Sequence, residues 1–203
     1  MKGKNYFVFV SALVILLNFA NPLHACVGRL LVVAVGNSVD QVIMGQMLSQ
    51  LITERTGTSV DIVQPGDFHA CHQAVLEGKA DIYVNYVGMA QGDIEGANAS
   101  VDPQEAYILV SQSYKKQFGL IWLKPFGFQG PLPIEAQSGE YDGTWAVPVV
   151  SKDTLKKFPV LDRIINKLGG RVDNKAIEKL REKSENQDIK TTVREFLKSQ
   201  NLI

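Results

Sequence analysis

Cysteine is nearly absent. Cys26 and Cys71 are the only two in 203 residues, which excludes the disulfide framework of a small secreted scaffold and a zinc centre built from thiolates. Histidine is as scarce, with three in the chain. No Gly-x-Ser-x-Gly elbow, phosphate-binding loop or His-Glu-x-x-His helix occurs, so the common signatures of hydrolases, nucleotide hydrolases and metalloproteases are missing. The chain is therefore read as non-enzymatic and without a cofactor. An excess of one charge is lacking too: 21 basic residues balance 21 acidic ones, and the whole carries no electrostatic footprint for nucleic acid.

What is present suits one substantial core. With 45% apolar and 21% charged residues, the chain has ordinary globular composition at a length that favours a single domain. Its charge is uneven: residues 151–203 hold 13 basic and 8 acidic side chains, the reverse of the balance before them. That imbalance fits either solvated helix faces or a docking surface.

Lys2 and Lys4 precede an apolar run over residues 7–17 that ends in small and turn-forming residues. The pattern predicts a signal peptide over residues 1–25 and an extracytoplasmic mature chain over 26–203. The run is too short to cross a bilayer comfortably. Leu23-His24-Ala25-Cys26 resembles a bacterial lipobox, with His24 as a departure. Three fates of Cys26 stay open: lipidation and membrane anchoring, plain cleavage after Ala25, or a disulfide with Cys71.

Residues 29–36 (RLLVVAVG) form a β-branched run suited to a strand buried on both faces. Ser38 and Gln41 then read as a capping box opening a helix with Ile43, Met44, Met47, Leu48, Leu51 and Ile52 on its apolar side. Further strands are expected at 58–63, 80–84, 119–123 and 145–150, the last restricted by Pro148 to a sheet edge or a strand end. Helices are expected from Phe68 to Glu77 and from Asp102, where Pro103 and Glu105 follow as start signals. Residues 88–101 and 127–143 read as loops, and residues 153–197 as three amphipathic helices parted at Gly169-Gly170 and near Asn186. The order predicts an α/β domain of three layers around a mostly parallel sheet, with a helical C-terminal tail.

His69, Cys71 and His72 (HACH) stand close enough to suggest a metal but supply too few ligands, and no metal site is assigned. Tyr83 and Tyr86 fall at the C-terminal end of a predicted strand, where open α/β sheets bind ligands. Tyr86 could offer its ring face to a cation, or pack at the sheet edge.

Three stretches carry a family resemblance: residues 41–48 (QVIMGQML), residues 72–88 (HQAVLEGKADIYVNYVG), and residues 102–128 with their Asp-Pro-x-x-x-Tyr and Gly-Leu-x-Trp-Leu-x-Pro-x-Gly-Phe patterns. The tail over residues 148–203, from Pro148-Val149-Val150 to Ile203, extends it. They resemble the substrate-binding proteins of ABC importers for glycine betaine, choline and related osmoprotectants. The resemblance implies one lobe of a type II-like periplasmic-binding-protein fold that binds a small polar or quaternary-ammonium solute for an ABC permease. It points to Tyr86, Asn37, Gln41, Trp145 and Tyr141 as ligand contacts. It also implies that residues 129–144 stand as an irregular loop where relatives have a second lobe, so that a homodimer or another protein would supply the missing wall. Where relatives have glutamate this chain has Asn85, and Gly36, Ser38, Val87 and Met89 also depart from the pattern. An accessory or sensory interaction domain that binds no solute is the alternative.

Mass analysis of the exported protein is expected to find Cys26 as the first residue. Added acyl mass there would establish lipidation, and an intact Met1 would overturn the export reading.

Overall fold

The computed structural model describes residues 30–94, 102–130 and 144–203. The expected signal peptide, Cys26 and Tyr141 lie outside the described residues. Leu31–Gly36 forms β1. Its Leu31, Val33 and Val35 enter one core and Ala34 the other, so the strand is covered on both faces as its unbroken apolar run requires. Helix α1 spans Val39–Thr56, with the Ser38 hydroxyl accepting from the Gln41 N–H and Gly57 closing the helix in the left-handed conformation. α1 approaches β1 closely at Gly45, where a β-carbon would fall 2.2 Å from Val35 Cγ1.

The chain continues through β2 (Val60–Gly66), α2 (Phe68–Leu76), β3 (Ile82–Tyr86), α3 (Val87–Gln91) and α4 (Pro103–Gln117). Then come β4 (Leu120–Trp122), β5 (Gln129–Gly130) and β6 (Thr144–Ser151). Asp67 and Asp102 cap α2 and α4 by accepting from Ala70 N and Glu105 N. The expected loop over 88–101 opens instead with α3. At the other expected loop, Gln129 and Gly130 pair with Trp145 and Thr144, so the ends of 129–144 are strand rather than irregular.

The sheet order is β2-β1-β3-β6-β4, with β5 also on β6. β1 runs parallel to β2 and β3, but β6 is antiparallel to β3, β4 and β5. The sheet is thus mixed, not mostly parallel. The chain leaves it upward along β4 and re-enters at the same end, which obliges β6 to run down between two upward strands.

Three layers result. One core packs α1 and the C-terminal helices α6 (Leu161–Ile165), α7 (Asn174–Asn186) and α8 (Ile189–Ser199) on one face; the other packs α2, α3 and α4 on the opposite face. β2 is the exception: Asp61 and Val63 are exposed at that edge. The tail holds more pieces than the expected three helices. Residues Lys152–Lys157 form α5 and the chain breaks before α6, because Pro159 lacks a donor and restricts Phe158 before it.

Pro148 lies inside the sheet and within β6, neither at an edge nor at a strand end. Residues 146, 148 and 150 direct their backbone polar groups toward β4 and its extension: Leu123 N donates to Pro148 O at 3.0 Å, and Phe126 N to Ala146 O at 3.0 Å. Toward β3, opposite Val84, Pro148 therefore owes no hydrogen bond. The one donor it omits is the partner of the Leu123 carbonyl, and the Tyr107 hydroxyl donates to that carbonyl at 2.8 Å. A side chain from α4 replaces the missing ladder bond.

Tyr107→Phe is expected to cost about 1–3 kcal/mol by leaving the buried carbonyl unpaired. The cost should shrink in a Pro148→Ala background, where the restored N–H can serve Leu123. Denaturant unfolding of the double-mutant cycle checks this, and equal costs in both backgrounds would refute the substitution of one donor for the other.

Candidate functional site

β1 and β3 end side by side, and the turn from β1 into α1 stands next to Tyr86. Gln41 fastens this end: its Nε2 donates to Val84 O at 3.2 Å, and its Oε1 accepts from Gly36 N at 3.5 Å. The capping box is therefore half formed, since the Gln41 side chain serves the strand ends instead of returning to Ser38. Asp40 accepts two hydrogen bonds from Arg181, at 2.6 and 2.7 Å, which tie the first turn of α1 to α7.

Tyr86 is 4% exposed. Its ring lies under Gly130, where a β-carbon would fall 1.9 Å from Cε1; only glycine lets the backbone come so close. The hydroxyl is buried and makes no hydrogen bond among the described residues. Burial pushes the phenol up to about 12, an effect that Gln41, Arg181 and Ser38 oppose and Asp40 reinforces.

The expected ligand contacts are thus only partly assembled. Tyr86 and Gln41 meet, and Asn37 sits exposed on the adjoining turn. Trp145 belongs to the opposite face of the sheet, where it packs edge-on to Tyr107 with centroids 6.2 Å apart. Strand alternation explains this, because Tyr86 pairs with Ala146 and the neighbour of Ala146 must point the other way. Tyr141 lies outside the described residues. Asp40, Arg181 and Gly130 were not picked out by sequence; Asp40 and Arg181 are 141 positions apart, and no local pattern joins them.

The other face carries a buried polar chain. His72 Nδ1 lies 2.8 Å from the Tyr83 hydroxyl, and Asn85 Nδ2 donates to the Tyr83 and Tyr114 hydroxyls at 3.4 Å. Tyr114 donates to Asp93 Oδ2 at 2.6 Å, while His69 stands 3.6 Å from Asp93 Oδ1. Among the described residues no three side chains are grouped to hold a metal; His72 is engaged by Tyr83, and His69 is largely exposed. Cys71 is a free, buried thiol pushed up to about 11 by burial.

Burial holds His72 below the usual imidazole range, with Asp93 opposing that shift and His69 adding to it. The unfolded chain takes up this proton near pH 6.5 and the folded chain only at lower pH. The histidine's contribution is thus present above about pH 6.5 and is lost as pH falls toward its folded value. Melting temperature should drop less between about pH 7.5 and 5.5 in His72→Gln than in the parent. Parallel curves would remove His72 from the pH response.

Comparison with known proteins places this geometry. A family model described as the substrate binding domain of ABC-type glycine betaine transport system matches residues 29–132, the stretch that contains β1 through β5 and both Gln41 and Tyr86. Carnitine transport binding protein OpuCC from Listeria monocytogenes serotype 1/2a (strain 10403S) is 28% identical over 144 residues, covering 68% of this chain and 42% of that protein. OpuCC assigned to Listeria monocytogenes without a strain gives the same figures. The chain spans about two fifths of the length of these curated relatives. A crystal structure of a glycine betaine/carnitine/choline ABC transporter superposes with a TM-score of 0.75 at 16% identity, covering 85% of this chain and 99% of that one. Apo YehZ from Escherichia coli gives 0.75 at 14% identity, with 85% and 99% covered. At such identities the two structures establish the fold, a periplasmic-binding-protein-like α/β architecture. The family match covers just over half of the chain, and the chain belongs to the family of substrate-binding domains of ABC-type glycine betaine transport systems.

Proposed function

We propose that this chain is a non-enzymatic, extracytoplasmic solute-binding module of a glycine betaine/choline-type ABC transport system. Its ligand is a small polar or quaternary-ammonium solute, and its partner in the membrane is an ABC permease. The observation that carries this reading is the position of Tyr86, inside the family-matched segment and at the C-terminal end of β3, where α/β sheets receive ligands. Among the described residues no helix is long and apolar enough to cross a membrane. Acylated Cys26 or the permease would hold the module at the membrane. The unit is one lobe over residues 26–203, with 129–144 bridging the place of a second lobe.

A cation held against one ring gains about 0.5–2 kcal/mol, while micromolar affinity needs about 8 kcal/mol. A second wall must add the rest, from a second copy or another protein. A second reading, protein interaction without solute, draws on the burial of the Tyr86 ring beneath Gly130: a solute reaches that ring only if β5 moves.

Calorimetry with glycine betaine, choline and carnitine on protein of verified mass tests both readings. Monomer is expected to bind at millimolar strength or weaker, more tightly when dimeric, and not at all in Tyr86→Ala. Micromolar binding by a verified monomer would overturn the need for a second wall. Absence of binding in every assembly state would leave protein interaction as the function.

A further inference from the structure

The polar chain on the α2 face has a direction, and the backbone sets it. An amide N–H can only donate, so the Asn85 atom 2.8 Å from Tyr86 N is the carbonyl oxygen Oδ1. That fixes the side-chain amide, and Nδ2 is the group that faces the Tyr83 and Tyr114 hydroxyls at 3.4 Å. Nδ2 donates and cannot accept. Tyr114 gives its own proton to Asp93 Oδ2 at 2.6 Å. Tyr83 receives from Asn85 and stands 2.8 Å from His72 Nδ1; of these two partners, the imidazole nitrogen is the one able to take the Tyr83 proton. Neutral His72 therefore accepts at Nδ1 and carries its proton on Nε2.

We propose that His72, Tyr83 and Asn85 form a relay that transmits protonation of His72 to the backbone of Tyr86, making the candidate ligand end of the sheet responsive to pH. A proton taken from solvent onto Nδ1 turns His72 from acceptor into donor. The Tyr83 hydroxyl then faces two donors, and its own proton has lost its acceptor. Turning the Asn85 amide restores one, because Oδ1 then points at Tyr83. The same turn sets Nδ2 against the Tyr86 N–H, so two donors face each other where a hydrogen bond stood. Escape by rotation of the imidazole is blocked. His72 is 6% exposed and packs edge-on to Tyr83, Tyr114 and Phe118, with centroids 5.7, 5.4 and 5.1 Å away.

Few titratable groups surround the ring. His69, Cys71 and the capping Asp67 belong to its own helix, Tyr83 to β3, Tyr114 to α4, and Asp93 follows α3. β1 and β6 contribute no titratable side chain, and Asp61 of β2 is exposed. Asp93 favours the imidazolium and His69 opposes it, but burial outweighs both and holds His72 below the usual value of about 6.5. The relay is thus set for acid.

Nuclear magnetic resonance of the isotope-labelled exported protein tests the relay with no solute present; its consequence for solute capture rests on the solute-binding reading of Tyr86. At about pH 8, above the imidazole range, His72 should show the tautomer protonated on Nε2. As pH falls to about 5, the Tyr86 amide signal should move with the His72 midpoint. Its protection against exchange, corrected for the intrinsic rate, should fall about 10-fold, the loss expected for one hydrogen bond. Tyr83→Phe removes the hydroxyl, so His72 should still titrate while Tyr86 stops responding. His69→Gln should leave the coupling in place, because His69 approaches Asp93 and not Tyr83; loss of coupling there would route the signal through Asp93 and overturn the relay. A His72 tautomer protonated on Nδ1 at about pH 8, a Tyr86 amide that does not follow His72, or a response that survives in Tyr83→Phe would each overturn it as well. The first two of these outcomes need no variant.

Discussion

Five consecutive residue pairs, from Ile82 opposite Val150 to Tyr86 opposite Ala146, join β3 to β6. Through this ladder residues 144–203 are brought against residues 30–94 to make one sheet, and both cores depend on it. The helices after β6 cover one face by packing on α1. Tyr83 and Asn85 project from β3 into the other core, alongside Val147 and Val149 of β6. At its lower end the ladder is tied by Asp81, which accepts from Val32 N at 2.9 Å and from the Thr154 hydroxyl at 2.6 Å. One carboxylate thus links β1, the start of β3 and the helix that follows β6. At its upper end the Thr144 hydroxyl accepts from Gly88 N at 2.6 Å, fixing the start of α3 against β6.

Inserting β6 also sets what β3 can display. With neighbours on both sides, β3 has no open edge, and alternation sends Tyr86 to one core and Asn85 to the other. Asn85 is fully buried, and its amide would be expensive to leave unpaired. Its Oδ1 accepts from Tyr86 N at 2.8 Å while its Nδ2 faces the two tyrosine hydroxyls. The polar chain on one face therefore grips the backbone of the residue whose ring packs on the other. Burial raises the phenols of Tyr83 and Tyr114 far above their usual range, so both stay neutral hydrogen-bonding groups at any physiological pH.

Much of the α/β order was legible because it is written locally. Ser38 and Asp102 announce helices by side chains that cap them three residues on, and the β1 run reads as buried because it is. The direction of β6 was not legible. Antiparallel entry depends on where the chain returns after β5, and nothing within residues 145–150 records it. The placement of Pro148 was not legible for a related reason: the rule that confines proline to edges and strand ends assumes an unanswered acceptor, and the answer comes from Tyr107, far away in sequence. At the candidate site, type was legible and convergence was not. Tyr86 and Gln41 meet because each lies next to a strand end, whereas Trp145 is sent to the opposite face by a parity that becomes known only with the register.

That parity bears on how any solute could be held. A cation site built from several rings requires their faces to converge, yet Trp145 and Tyr86 lie on opposite sides of a continuous sheet. The Tyr86 ring already has a neighbour in Gly130, and a cation must replace that contact before it gains its own. The exchange is small in either direction, since burying a few apolar atoms and forming one cation–π contact are of similar magnitude, about 1–2 kcal/mol. The ring is therefore offered or covered by a small difference in free energy at β5 and the α1 turn. A movement that lifted Gln129 and Gly130 from Tyr86 would expose the ring, while the Gln41 and Asp40 contacts keep the strand ends in place beneath it.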